Sequence, residues 1–227
     1  MGLVMTDLQT LETLLGYEFR DKKLLQLALT HRSLVRENGE GSNQRLEFLG
    51  DSVLGVIIAD MLYHLFPNEA EGDLSKRLVS LVNGEQLAAI AKVMTLDTYM
   101  QMSGGEEEQG GRVNPSNLED ACEALLGALY LDGGLDAARG VVERFWQAQA
   151  SAMKAPPKDA KTALQEWAQG RGLPLPDYVL ISSEGPSHAP VFVVELQVKG
   201  VTPVRAEAGV KKQAERLAAE KMLAVLG

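Results

Sequence analysis

The sequence predicts an all-α domain over residues 1–153 followed by a small α+β domain (α-β-β-β-α) over residues 160–227, with a linker at 154–159. Three observations carry this. Apolar residues recur at helical spacing as far as Met153. KAPPKD at Lys154–Asp159 then sets Pro156 beside Pro157, a short and fairly stiff connection. Beyond it the period changes, and valine-rich VFVVELQV stands between two helical patterns.

Taken in order, Leu8–Leu15 and Leu24–Leu29 have helical spacing, with Asp7 and Asp21 as N-caps. LTHRS follows, where His31 reads as a packing histidine at a helix end rather than a ligand, and then a Gly/Glu/Asn loop through Gly41. Asn43–Leu65 is one long helix, capped by Ser42 or Asn43 and stopped at Pro67. It would span about 34 Å. Its apolar residues fall on nearly every face, which places it inside something. Gly50 and Gly55 cost helix propensity and suggest that another backbone comes close. Asp73 begins a helix with Leu74, Leu78, Leu81 and Val82 inward, and Glu85–Met94 forms the next. Ser103–Ser116 reads as a mobile loop, its three consecutive Glu residues a solvated face. Asn117 opens a second apolar helix ending at Gly133-Gly134, and Leu135–Met153 is amphipathic. In the tail, Ala160–Gly170 is a short helix, Tyr178–Ser182, Val191–Val198 and Val204–Glu207 are strands, and Lys211–Leu226 is the closing helix.

The 227 residues are 45% hydrophobic and 23% charged, a globular composition. Asp51 and Asp60 interrupt the best candidate for a membrane span, and MGLVMTDLQT has no basic region ahead of an apolar block, so neither membrane nor signal peptide is expected. The single Cys122 cannot form an internal disulfide and fits a reducing cytosol, hence a cytoplasmic location; it reads as a small core residue. The net charge of −9 argues against a nucleic-acid partner until its distribution is seen. From Lys158 onward nine basic residues face eight acids, whereas the preceding part holds thirteen basic and twenty-three acidic residues. Local patches, not the total, decide phosphate binding.

Glu47 and Asp51 lie four apart on the long helix, and Asp120 and Glu123 three apart on the second apolar helix. Acids on helices are ordinarily surface groups, but these sit among Leu, Phe, Val and Ala that leave little polar face for them. If the two helices pack together, four carboxylates converge without histidine or thiolate. All-oxygen ligation selects Mg²⁺ or Mn²⁺, and a Mg²⁺ cluster suits phosphoryl chemistry. Di-iron bundles also pair acids on helices but typically use Glu-x-x-His, which is absent here.

NQRLEFLGDSVL at Asn43–Leu54 resembles the signature of bacterial ribonuclease III, whose usual form begins Asn-Glu-Arg-Leu-Glu-Phe-Leu-Gly-Asp-Ser. The likeness extends to ALTHRS, EGDLSK and LEDACEALLGALYLD, and the tail is similar to the double-stranded-RNA-binding domain of the same enzymes. The resemblance implies an all-α endonuclease domain that also dimerises. It implies a homodimer that cuts both strands of RNA duplexes, leaving 5′-phosphates, 3′-hydroxyls and short 3′ overhangs, in the processing of rRNA and mRNA precursors. It assigns Mg²⁺ binding to Glu47, Asp51, Asp120 and Glu123, with Asp51 and Glu123 catalytic, and a secondary place in the valley to Glu71. It also gives the long helix a dimer contact. Gln44 stands where the family usually has glutamate; it faces the same valley with one negative charge fewer.

Double-stranded RNA is read by shape, minor-groove 2′-hydroxyls and phosphates. Thr162, Gln165 and Glu166 share a face of the first tail helix, Gly185, Pro186, Ser187 and His188 match the family's minor-groove loop, and Lys211, Lys212 and Gln213 begin the last helix, where lysines meet phosphates. Val210 replaces a common serine and Glu215 stands where many such domains have a third lysine, so modest, salt-dependent binding is expected. The competing readings are a cleavage-deficient binding protein on the same fold, with Gln44 as its first sign, and a helical diphosphate-processing enzyme, which leaves the tail unexplained.

Overall fold

Helical periodicity up to Met153 becomes a bundle around two long helices. The computed structural model describes residues 8–38, 41–157, 159–185 and 190–226, and the chain divides into two compact units, Met1–Pro157 and Lys158–Gly227. The first contains α1 (Leu8–Leu15), α2 (Lys22–Ala28), α3 (Arg32–Asn38), α4 (Gln44–Leu65), α5 (Glu71–Leu81), α6 (Gly84–Val93), α7 (Leu96–Tyr99), α8 (Gly104–Glu108), a 3₁₀ turn (Gly111–Val113) and α9 (Pro115–Ala152). Asp21 caps α2 as expected, accepting from the Lys23 amide, while the expected cap Asp7 lies outside the described residues. Asn43 precedes α4 but makes no side-chain capping bond. Inside α9, Gly134 has φ 76° and ψ −172°, a backbone open essentially to glycine alone, and it separates the two helices expected there.

α4 turns one face to the core. Leu46, Val53, Leu54, Ile57, Ile58 and Leu62 are buried, with Leu125, Leu126 and Trp146 of α9 in the same cluster; each such leucine contributes about 1.5–3 kcal/mol. α4 is the one helix among the described residues long and apolar enough to cross a membrane, and a third of its apolar window is buried in this packing. Its other face corrects the expectation of an enclosed helix: Phe48 is 80% and Tyr63 68% exposed, with Val56 exposed between them. At the far end of α4, Arg77 is fully buried. It holds Glu69 with two hydrogen bonds, donates to the Met153 carbonyl at 2.9 Å and lies 3.7 Å from the Phe66 ring centroid, joining the ends of α4, α5 and α9.

The segment expected to be a mobile loop is folded. Arg112 donates to the carbonyls of Asp97 and Met100 and pairs with Glu107, while Asn117 donates to the Glu106 carboxylate at 2.9 Å. Two of the three consecutive glutamates therefore have protein partners rather than water alone. α3 was not expected at all, and α5 begins at Glu71 rather than Asp73.

The second unit contains α10 (Ala160–Gln169), β1 (Asp177–Glu184), β2 (Val191–Gln197), β3 (Val204–Ala208) and α11 (Lys211–Leu226). The strands form one antiparallel sheet in the order β1-β2-β3, with Leu180 opposite Val194 and Val194 opposite Ala206. Val194 is buried, and Leu196 points into a core shared with Leu164, Ala206, Ala218, Ala219 and Met222, while Glu195 turns outward to Arg205 at 2.7 Å. Asp159 caps α10 by accepting from the Thr162 amide.

Candidate active site

The site is built on a glycine contact between α4 and α9. A Cβ on Gly50 would fall against the Glu123 carbonyl and 2.9 Å from the Gly127 nitrogen; one on Gly127 would fall against the Leu46 carbonyl. The two backbones touch where any side chain would force them apart. Glu47 and Asp51 sit on α4 within a turn of this contact, and Asp120 and Glu123 on α9 lead up to it. The close approach foreseen at Gly50 is there; the one foreseen at Gly55 is not, since nothing lies within 4 Å of a Cβ at that position.

The carboxylates act on one another. Glu123 is pushed up to about 8, first by burial and then by Asp51, Glu119, Glu47 and Asp120. Burial and Asp120 raise Glu47, and burial raises Asp120 against the opposing pull of Arg32 and His31. Glu119 belongs to the same field: burial, Asp120 and Asp51 raise it. Sequence reasoning missed this fifth acid, although its spacing of four from Glu123 signalled a shared face. Among the described residues no three His, Cys, Asp or Glu side chains are grouped so as to hold a metal ion; the acids share an electrostatic field without being drawn into a coordination shell. Cys122 is fully buried and its thiol is pushed far up by burial and by Glu123, which makes it an inert core residue.

Beside the acids lies a polar recess of about 760 Å³ lined by residues that include His31, Arg32, Ser33, Gln44, Ser103 and Glu106. Gln44 is exposed there, its amide oxygen 3.3 Å from the Ser42 hydroxyl. His31 is buried, with its Nδ1 3.2 Å from the Ser33 amide nitrogen and 2.8 Å from the Ser33 hydroxyl. Its Nε2 is buried without a partner among the described residues. Glu71 stands at the exposed start of α5, accepts from Ser75 at 2.9 Å, and is not among the charges acting on Glu47, Asp120 or Glu123.

In the second unit Thr162, Gln165 and Glu166 share the exposed face of α10, and Lys211, Lys212 and Gln213 form the exposed first turn of α11. Gly185, with φ 100°, ends the described part of the turn after β1. Pro186, Ser187 and His188 lie outside the described residues.

A ribonuclease-III-like family model matches residues 21–149, and a double-stranded RNA binding motif matches residues 160–226. Ribonuclease 3 of Ehrlichia ruminantium (strain Welgevonden) is 46% identical over 212 residues, 93% of each chain. The chain belongs to the ribonuclease III family. Ribonuclease 3 of Azorhizobium caulinodans is likewise 46% identical, over 96% of this chain and 94% of its own. The nuclease domain of ribonuclease III from Campylobacter jejuni superposes with a TM-score of 0.60 at 43% identity, covering 64% of this chain and 97% of that one. A second structure of that domain, described for flexibility in a region involved in dimer formation, gives a TM-score of 0.59 over 63% and 97%. The helical unit is thus the endoribonuclease unit of a ribonuclease III family enzyme, and the tail is its double-stranded RNA binding motif.

Proposed function

We propose that this ribonuclease III family enzyme hydrolyses double-stranded RNA in a Mg²⁺-dependent reaction, with Mn²⁺ able to substitute, leaving 5′-phosphates, 3′-hydroxyls and short 3′ overhangs. The observation that carries the reading is the meeting of α4 and α9 at Gly50 and Gly127, which sets acids from both helices in one field. Neighbouring carboxyls that resist ionisation mark a place short of positive charge, and an oxygen-only donor set fits a hard cation. Glu47, Asp51, Asp120 and Glu123 would hold it. When bound, such a cation activates water and stabilises the leaving oxygen.

The protein's own residues supply the remainder. Hydrolysis adds a water oxygen to phosphorus and breaks the bond to the 3′ oxygen, so one proton leaves the water and another reaches the 3′ oxygen. Asp51 and Glu123 are assigned to this reacting centre, with Gln44 and Glu71 at its margin. Arg32 borders both the acids and the recess, where it can face an RNA phosphate. In the tail, Thr162, Gln165, Glu166, Gly185, Pro186 and His188 are assigned to the minor groove, and Lys211, Lys212 and Gln213 to phosphates. A second copy of the chain covers the exposed apolar stripe of α4, giving a homodimer. A lone, inert Cys122 supports a cytoplasmic setting, and the substrates are rRNA and mRNA precursors.

Cleavage of an end-labelled perfect RNA duplex tests this, with Mg²⁺ or EDTA, beside Glu123→Ala. Products with short 3′ overhangs should require Mg²⁺ and fall by roughly 10²–10³-fold or more in the variant. Tight duplex binding without cutting, even with Mn²⁺, would make the chain a cleavage-deficient binding protein instead. Gln44→Glu should change the rate at saturating Mg²⁺ by less than about tenfold; a larger gain would mark Gln44 as a catalytic loss.

A further inference from the structure

We propose that Glu215 is a positioning residue for duplex binding: through Lys161 it ties the RNA-facing side of α10 to the RNA-facing end of α11, so that minor-groove and phosphate contacts arrive in one register. This rests on the reading of the tail as the RNA-binding unit. Glu215 lies one turn into α11, and its side chain is only 16% exposed. One carboxylate oxygen accepts from Lys161 Nζ at 2.6 Å, and the other lies 3.9 Å from Lys211 Nζ. Lys161 is the second residue of α10, and its ammonium also sits 4.7 Å from the ring centroid of Tyr178 on β1. The Tyr178 hydroxyl is buried without a partner among the described residues. Thr162 adjoins Lys161 in the chain and Gln165 follows one turn later, while Lys211 is one turn before Glu215. The carboxylate therefore stands between the two groups of RNA-facing side chains.

The α10–α11 contact is otherwise apolar: Ala160 and Leu164 share a core with Ala218, Ala219 and Met222. A charge-assisted bond at its partly exposed margin supplies a directional constraint that apolar packing lacks. Simple electrostatics gives the opposite expectation, since a carboxylate among phosphate-binding lysines repels RNA and its removal should tighten binding. Because Lys161 already cancels the charge of Glu215 at contact distance, the positioning effect outweighs the repulsion. The two accounts differ in sign.

The experiment is equilibrium binding of the full-length protein to a labelled perfect RNA duplex in EDTA, over a series of salt concentrations. Glu215→Asp keeps the charge but shortens the reach; its Kd should rise about fivefold with the salt slope unchanged. Glu215→Gln should weaken binding in the same direction, Lys161→Met likewise, and the double variant should be no worse than either single one. Lys161→Arg, which preserves the pair, should bind within about twofold of the parent. Binding stoichiometry separates these effects from unfolding of the tail, which would lower the competent fraction. Lys212→Gln serves as the phosphate control, with a salt slope smaller by about one. Equal or tighter binding by Glu215→Asp and Glu215→Gln overturns the proposal. A parent protein that ignores the duplex, or a Lys212→Gln variant that binds like the parent, overturns the reading beneath it.

Discussion

Glu123 joins burial to the repulsion of four other acids, and both favour its neutral form. Its folded value of about 8 lies above the ordinary 4.5, so between these values the folded protein keeps a proton that the unfolded chain has released. Stability from this source is fully present below pH 4.5 and is lost as pH rises towards 8. The expected outcome is a metal-free Tm that falls between pH 5 and pH 8, with much of the fall removed in Glu123→Gln. Mg²⁺ should raise Tm more at pH 8 than at pH 5, because at the lower pH the cation must displace protons to bind. Differential scanning calorimetry in EDTA and in Mg²⁺ checks both statements; a flat EDTA profile would mean that the acids are better solvated than their packing implies. Arg77 is the structural counterpart, a buried charge with a partner at each of its three guanidinium nitrogens. Arg77→Met removes the partner of Glu69 and the bond to the Met153 carbonyl, and should lower Tm by more than about 4 °C.

At the scale of elements, the site depends on how closely α4 and α9 can approach. Gly50→Ala or Gly127→Ala places a methyl group against a facing carbonyl. Overpacking of this kind costs about 1–3 kcal/mol and separates the acids of the two helices. Chemical denaturation should show that loss, and Mg²⁺ should give less than the parent's gain in Tm; Gly55→Ala, with open space around it, should do neither. The convergence was legible because acids at spacings of three and four fall on one face of a helix, and glycines in an apolar helix mark a close backbone. Gly55 misled because the same residue type also occurs where no backbone comes near. The segment 103–116 misled for a different reason. Its glycines and glutamates look solvated locally, but Arg112 reaches back to Asp97 and Met100, and Asn117 reaches Glu106. Those partners are set by tertiary packing that no local window contains. Glu119 lies in the same run, beside Asp120 and four residues before Glu123, so its place in the site was legible from spacing.

At the scale of the whole molecule, the fold leaves an apolar surface that one chain does not use. Phe48, Val56 and Tyr63 recur along α4 at intervals of seven and eight, a single stripe on the face opposite the core. Exposed apolar stripes of this kind mark partner surfaces, and a two-fold related copy offers the same stripe in return. The acids of α4 lie on the same helix as that stripe, with Asp51 only three residues from Phe48, so the proposed dimer would bring each site close to the shared face. Phe48→Glu combined with Tyr63→Glu puts like charges on both sides of the two-fold contact and leaves the monomer core untouched, since both side chains are exposed. Sedimentation velocity should then show the parent as a dimer and the double variant as a monomer, while the far-ultraviolet circular dichroism of the two remains the same. Double-strand cleavage should fall with the dimer, because one chain carries one set of acids for a duplex with two strands to cut. If the double variant still sediments as a dimer, the α4 stripe is not the contact. If it is monomeric and cuts both strands at the parent's rate, each chain works alone and the stripe has another purpose.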